Sequence, residues 1–139
     1  STFSSIYINI DRDQSSEAIE EGIRNACKFS EKNSKIFVIV KNDNENLSIS
    51  ILNEPTSQTE IRGIPIEYSN LVFEPFYRIS KFVDERFKTL DIGFGLSLVK
   101  AIIKKHGGSV TISNIKDFTA VNAKSLKVNL ELLIPISEK

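Results

Sequence analysis

The stretch Gly93-Phe94-Gly95-Leu96-Ser97-Leu98-Val99-Lys100-Ala101-Ile102-Ile103-Lys104-Lys105-His106-Gly107-Gly108 holds a turn, a helix and its stop in one continuous run. Leu98, Val99, Ile102 and Ile103 recur at the spacing of one helical face, so a helix is expected from about Gly95 to His106. Gly107-Gly108 ends it, since glycine adopts the left-handed residue that closes many helices. Gly93 and Gly95 let backbone N–H groups approach an anion at the helix N-terminus, where the dipole favours negative charge. A plain tight turn uses the same glycines, so the stretch by itself sets a helix and leaves its ligand open.

Toward the C-terminus, Ser109 to Asn114 and Leu126 to Ile134 alternate as two strands, paired across a polar connection from about Asp117 to Lys124. Toward the N-terminus the periodicity dissolves between Asn53 and Asp91, apart from a short helical patch around Asn70 to Phe76. A loop of that length is uncommon unless it serves binding, and it reads as a lid. Lys35 to Lys41 and Leu47 to Leu52 flank the polar turn Asn42-Asp43-Asn44-Glu45-Asn46 and predict a β-hairpin. Ile6 to Ile10 alternates as a first strand. A helix follows, with Ser15 or Ser16 as cap, Glu17, Glu20 and Glu21 toward its positive end, Ile19, Ile23, Ala26 and Cys27 at helical spacing, and Lys28 and Lys32 toward its C-terminal end. About five strands and at least two long helices, with no repeat or low-complexity linker, predict an α/β fold: a two-layer sandwich whose mixed sheet carries helices on one face.

The composition fits one domain. The chain has 139 residues, 40% hydrophobic and 26% charged, enough to bury its own core. Residues 1–139 are read as a single domain cut from a longer protein. Eighteen basic residues balance eighteen acidic ones, so no global field attracts nucleic acid or an anionic membrane, and neither is expected as a partner. The single cysteine, Cys27, cannot close an internal disulfide, and a reducing cytoplasm fits best. Apolar runs such as Ile36 to Val40 are too short to span a bilayer, although the full-length protein is allowed an anchor elsewhere.

Three segments in order carry a resemblance. Glu21-Gly22-Ile23-Arg24-Asn25-Ala26-Cys27-Lys28-Phe29-Ser30 resembles the N box of the ATPase family shared by histidine kinases, DNA gyrase B, heat-shock ATPase chaperones and MutL mismatch-repair proteins. Val72-Phe73-Glu74-Pro75-Phe76-Tyr77-Arg78 resembles the F box of sensor kinases, and Gly93 to Lys100 with His106-Gly107-Gly108 resembles the second glycine box and its helix. The resemblance spans nearly the whole chain and implies the Bergerat fold. It implies ATP and Mg²⁺ as cofactors: Asn25 as metal ligand, Lys28 toward phosphate or ribose, Asn53, Gly63, Gly93, Gly95 and Leu96 around the nucleotide, and Arg78 toward the terminal phosphate. A single amide oxygen plus phosphates and waters suffices for magnesium, which keeps much of its octahedral water shell. Glu21 stands one turn before Asn25 on the same helix face, where most F-box kinases carry a second asparagine. This Glu-x-x-x-Asn spacing resembles gyrase-like ATPases and some histidine kinases, which implies a general base, while a glutamate held by the helix dipole is the other reading. The sole histidine, His106, resembles a structural position, not a phosphoacceptor.

Departures from the family pattern are also legible. Where the first glycine box has aspartate, the sequence reads Ile51-Leu52-Asn53-Glu54-Pro55, and Gly63-Ile64-Pro65 arrives only after Thr56 to Arg62. Asn53 offers an acceptor oxygen without the charge that strengthens such a bond. Pro55 restricts the turn by its fixed φ and missing N–H, and Asp91 places an acidic residue ahead of the second glycine box. The resemblance implies a catalytic domain of a two-component sensor kinase that delivers the ATP γ-phosphate to a histidine on a separate dimerisation domain, with a response regulator downstream. The alternative is a degenerate module that keeps the fold and docks without binding ATP; a gyrase-like hydrolase, suggested by Glu21 and opposed by the F box, stands third.

Overall fold

A computed structural model of the chain describes residues 5–55, 95–116 and 126–138. Their order is β1 (Tyr7–Ile8), α1 (Arg12–Phe29), β2 (Phe37–Asn42), β3 (Asn46–Asn53), α2 (Gly95–Lys105), β4 (Ser109–Lys116) and β5 (Leu126–Ser137). The expected two-layer α/β arrangement is present. The five-stranded sheet runs β1-β5-β3-β2, with β4 also paired to β5. All described pairings are antiparallel, which corrects the expected mixed sheet: no parallel crossover joins the described strands.

Alternation along β3 and β5 sends Ile49, Ile51, Val128, Leu130, Leu132 and Ile134 into a core shared with Leu96, Val99, Ile102 and Ile103 of α2. Helix α1 meets that core through small residues, since Ser15, Ala18, Gly22 and Ala26 are its buried positions. A Cβ on Gly22 would lie 2.8 Å from Ile51 Cδ1 and 3.2 Å from Leu130 Cδ2, so the missing side chain sets how closely helix and sheet approach. Ile19 and Ile23 pack against the core from the flank.

The start of α1 differs from expectation. Asp11 is the cap, its side chain accepting the Gln14 N–H at 2.9 Å, and Ser15 lies buried within the helix. Helix formation from Arg12 shortens the expected first strand to Tyr7–Ile8. The β2–β3 hairpin forms as predicted, with Asp43 Oδ1 accepting the Asn46 and Glu45 N–H groups at 2.7 and 3.1 Å. Those bonds hold the Asp43 carboxyl below its usual value of 3.8, and Asn44 takes the left-handed φ of 74°.

Helices α1 and α2 run antiparallel. His106, after the last turn of α2, accepts the Asp11 N–H on Nε2 at 2.8 Å, and its Nδ1 donates to the Ile102 carbonyl at 2.7 Å. This pair of bonds selects the neutral tautomer with its proton on Nδ1. The structural role read for His106 is therefore a tie between the end of one helix and the cap of the other. His106→Ala is expected to lower unfolding free energy by about 1–2 kcal/mol, the cost of leaving a partner unsatisfied. Urea denaturation measures it; an unchanged midpoint would show that water replaces the tie without loss. No helix among the described residues is long and apolar enough to cross a membrane.

Candidate functional site

Of the sequence-predicted residues, Glu21, Asn25, Lys28, Asn53, Gly95 and Leu96 are described, and the antiparallel helices bring Glu21 beside the start of α2. Glu21 lies level with the first residue of α2, since a Cβ on Gly95 would stand 3.1 Å from Glu21 Oε2. A carboxylate beside a helix N-terminus is favoured by the dipole. Asn25, half-buried, is one turn further along α1, about 6 Å beyond Glu21 along the axis. Lys28, in the last turn, overhangs the start of α2 further still. The start of α2 thus lies beside the half of α1 that carries Glu21, Asn25 and Lys28.

The third contribution comes from the sheet. Asn53 ends β3 on the helix-covered face, in line with Ile49 and Ile51, and is only 5% exposed. Its Nδ2 is buried without a hydrogen-bond partner among the described residues, an arrangement that costs free energy unless an acceptor is supplied. The chain beyond Asn53 is fastened to the end of α1 by the Glu31 N–H to Glu54 carbonyl bond at 2.8 Å and by the Ser30–Pro55 bridge. Pro55 therefore sits in a buried clasp between sheet and helix. That clasp holds Asn53 at the same end of the molecule as Asn25 and Gly95.

Two details modify the sequence reading. Leu96 is a core residue, 9% exposed, so only its backbone N–H is available to a ligand. Arg24 was not singled out, yet its Nη1 donates to Glu21 Oε1 in an ion pair. Three-residue spacing on a helix is the signal that predicts it. Arg24 engages one carboxylate oxygen and leaves Oε2 toward Gly95. Arg78, Gly63 and Gly93 lie outside the described residues, as do Asp91 and the F-box and lid segments. Among the described residues no group of three or more His, Cys, Asp or Glu could hold a metal ion. A single amide oxygen from Asn25 is the donor the helix offers.

Residues 10–132 match the family model of the histidine kinase-, DNA gyrase B- and HSP90-like ATPases. The chain belongs to that family. Within it, the chain is 30% identical over 114 residues to the sensor histidine kinase WalK of Bacillus subtilis, covering 80% of this chain and 17% of WalK. It is 28% identical over 116 residues to the histidine-protein kinase ArlS of Staphylococcus haemolyticus, covering 82% of this chain and 24% of ArlS. The chain thus spans a quarter or less of these curated relatives. In fold, this ATPase-family domain is similar to the mycobacterial sensor histidine kinase MprB, with TM-score 0.70 and 22% identity over 95% of this chain and 76% of that one. A nucleotide-free catalytic domain of the histidine kinase ThkA superposes with TM-score 0.68 and 21% identity, covering 95% and 73% of the two chains.

Proposed function

We propose that this chain is the ATP-binding catalytic domain of a two-component sensor histidine kinase, acting in the cytoplasm. It delivers the ATP γ-phosphate to a histidine on a dimerisation domain of the same or a partner kinase, with a response regulator downstream. The reading is supported chiefly by Glu21 Oε2 beside Gly95 at the start of α2, together with the buried Asn53 Nδ2, which has no hydrogen-bond partner among the described residues. These residues fit a Mg²⁺-nucleotide. Asn53 would meet the purine edge with its orphaned N–H and its acceptor oxygen, and the α2 N-terminus would receive phosphate. Asn25 would offer one oxygen to the metal. Glu21 would accept the proton of the attacking imidazole through Oε2. Bound Mg²⁺-ATP supplies the phosphoryl group and the cation that neutralises its charge.

Calorimetric titration of Mg²⁺-ATP into the chain tests this reading, with saturable binding expected. No heat at millimolar nucleotide would replace it with the docking module. Asn53→Asp refines it: a charged acceptor at the base should tighten ATP by about 1 kcal/mol, roughly fivefold. Weaker binding by the variant would show that the amide N–H, now unpartnered, is what holds the base.

A further inference from the structure

The free edge of the sheet carries information that nucleotide binding does not use. Among the described residues strand β2 pairs with β3 alone, and four successive apolar residues along it are open: Phe37 is 45% exposed, Val38 47%, Ile39 49% and Val40 60%. The β2–β3 register runs from Phe37↔Leu52 to Asn42↔Leu47 with no bulge. No proline or charged residue interrupts the apolar run, and such an uninterrupted edge invites another strand. We propose that β2 pairs edge to edge with β2 of a second copy of this chain, forming a two-fold antiparallel dimer centred on Ile39.

Backbone direction limits the possible registers. Asp43 donates its N–H to the Asn46 carbonyl across the hairpin, so alternation turns Ile39 and Lys41 toward β3 and Val38, Val40 and Asn42 toward the open edge. A two-fold antiparallel pair must oppose outward residues to outward residues. Centring on Ile39 does so, placing Val38 opposite the partner's Val40 and Ile39 opposite the partner's Ile39. The same register sets Lys35 opposite the partner's Asp43 and Phe37 opposite the partner's Lys41, giving an ion pair and a cation–π pair on each side of the axis. Phe37 already takes a cation over its ring, Lys127 Nζ at 5.4 Å from the centroid. Centring on Val38 instead opposes Lys35 to Lys41, like charges that repel, and centring on Val40 sets Lys35 against Glu45 but turns Ile39 onto Lys41 and Phe37 onto Asp43, breaking the apolar match. Charge and apolar matching together select the Ile39 register. Because both copies use the same edge, the contact closes at two chains and does not propagate.

Sedimentation equilibrium of this chain is the test. The expected mass rises with concentration from 15.6 kDa toward twice that value. Val40→Pro removes an outward N–H while leaving the β2–β3 ladder its own bonds, and should weaken association at least tenfold with the monomer's circular dichroism intact. Ile39→Lys, which brings like charges together on the axis, should do the same without a proline. Lys35→Glu should weaken the dimer, and adding Asp43→Asn, which removes the new repulsion but keeps the turn acceptor, should recover part of it. A wild-type chain that stays at 15.6 kDa at the highest concentrations overturns the proposal and leaves the edge to a different strand. Dimers that survive both Val40→Pro and Ile39→Lys overturn it as well. None of these substitutions touches the nucleotide residues, so ATP titration of the same variants separates failure here from failure of the proposed activity.

Discussion

Glu21→Gln is expected to leave Mg²⁺-ATP affinity near that of the parent and to slow phosphotransfer to a supplied acceptor domain by roughly 10²–10⁴-fold, the range for losing a general base. Glutamine keeps the size of the side chain and an acceptor oxygen for Arg24, while it removes the basicity of the carboxylate. Asn25→Ala should behave differently. It deletes a neutral oxygen one turn away, so nucleotide affinity and transfer should fall together. Arg24→Ala is the control for the ion pair, because Arg24 is 51% and Glu21 22% exposed and such pairs contribute only about 0.2–1 kcal/mol to stability. Single-turnover transfer rates and calorimetric affinities of the three variants check the assignment. If Glu21→Gln and Arg24→Ala both transfer at the parent rate, Glu21 serves only as the partner of a helix terminus.

The largest effect on stability is expected at Gly108. The turn after α2 is a Schellman closure: the Gly108 N–H reaches the Ile103 carbonyl at 2.9 Å, and the Gly107 N–H reaches Lys104 at 3.0 Å. A Cβ on Gly108 would lie 2.1 Å from the Leu133 carbonyl oxygen and 2.8 Å from Ile103 Cγ2. Leu133 is the β5 partner of Ser109, so backbone cannot move away without breaking the first pairing of β4. Ile103 is 1% exposed and has no room to yield. Gly108→Ala should therefore cost about 3 kcal/mol or more, at the upper end of overpacking. Gly107→Ala offers the comparison. Gly107 has φ +75° but open space, with Pro135 Cγ 3.8 Å from the added Cβ, so only left-handed strain of about 1–2 kcal/mol is expected. Thermal or urea unfolding ranks the two, and equal costs would show that the β4–β5 contact adapts.

Much of this arrangement was legible in the residues, because local patterns set local structure. Alternation set the hairpin and the β4–β5 pair, the glycine doublet set the end of α2, and the order of the boxes set the family. The cap of α1 was also readable: Asp11 stands three residues before Gln14, the spacing of a capping box, but Ser15 and Ser16 offer equally good cap side chains and the alternation of Ile6 to Ile10 extends the strand toward them. The packing face of α1 was hidden for a different reason. It is made of Ser15, Ala18, Gly22 and Ala26, whose small side chains give little apolar signal, and their value appears only when Ile51 and Leu130 press against them. The site itself was decided by tertiary structure. Glu21 and Gly95 are remote in sequence and meet because the helices lie antiparallel, tied by His106 to Asp11. Asn53 joins that end because Glu54 and Pro55 are clasped to the end of α1. Sequence determined which chemistry each position can offer, since that resides in the side chain. Only packing could determine which of them share a site, since that depends on contacts between segments that no local pattern encodes.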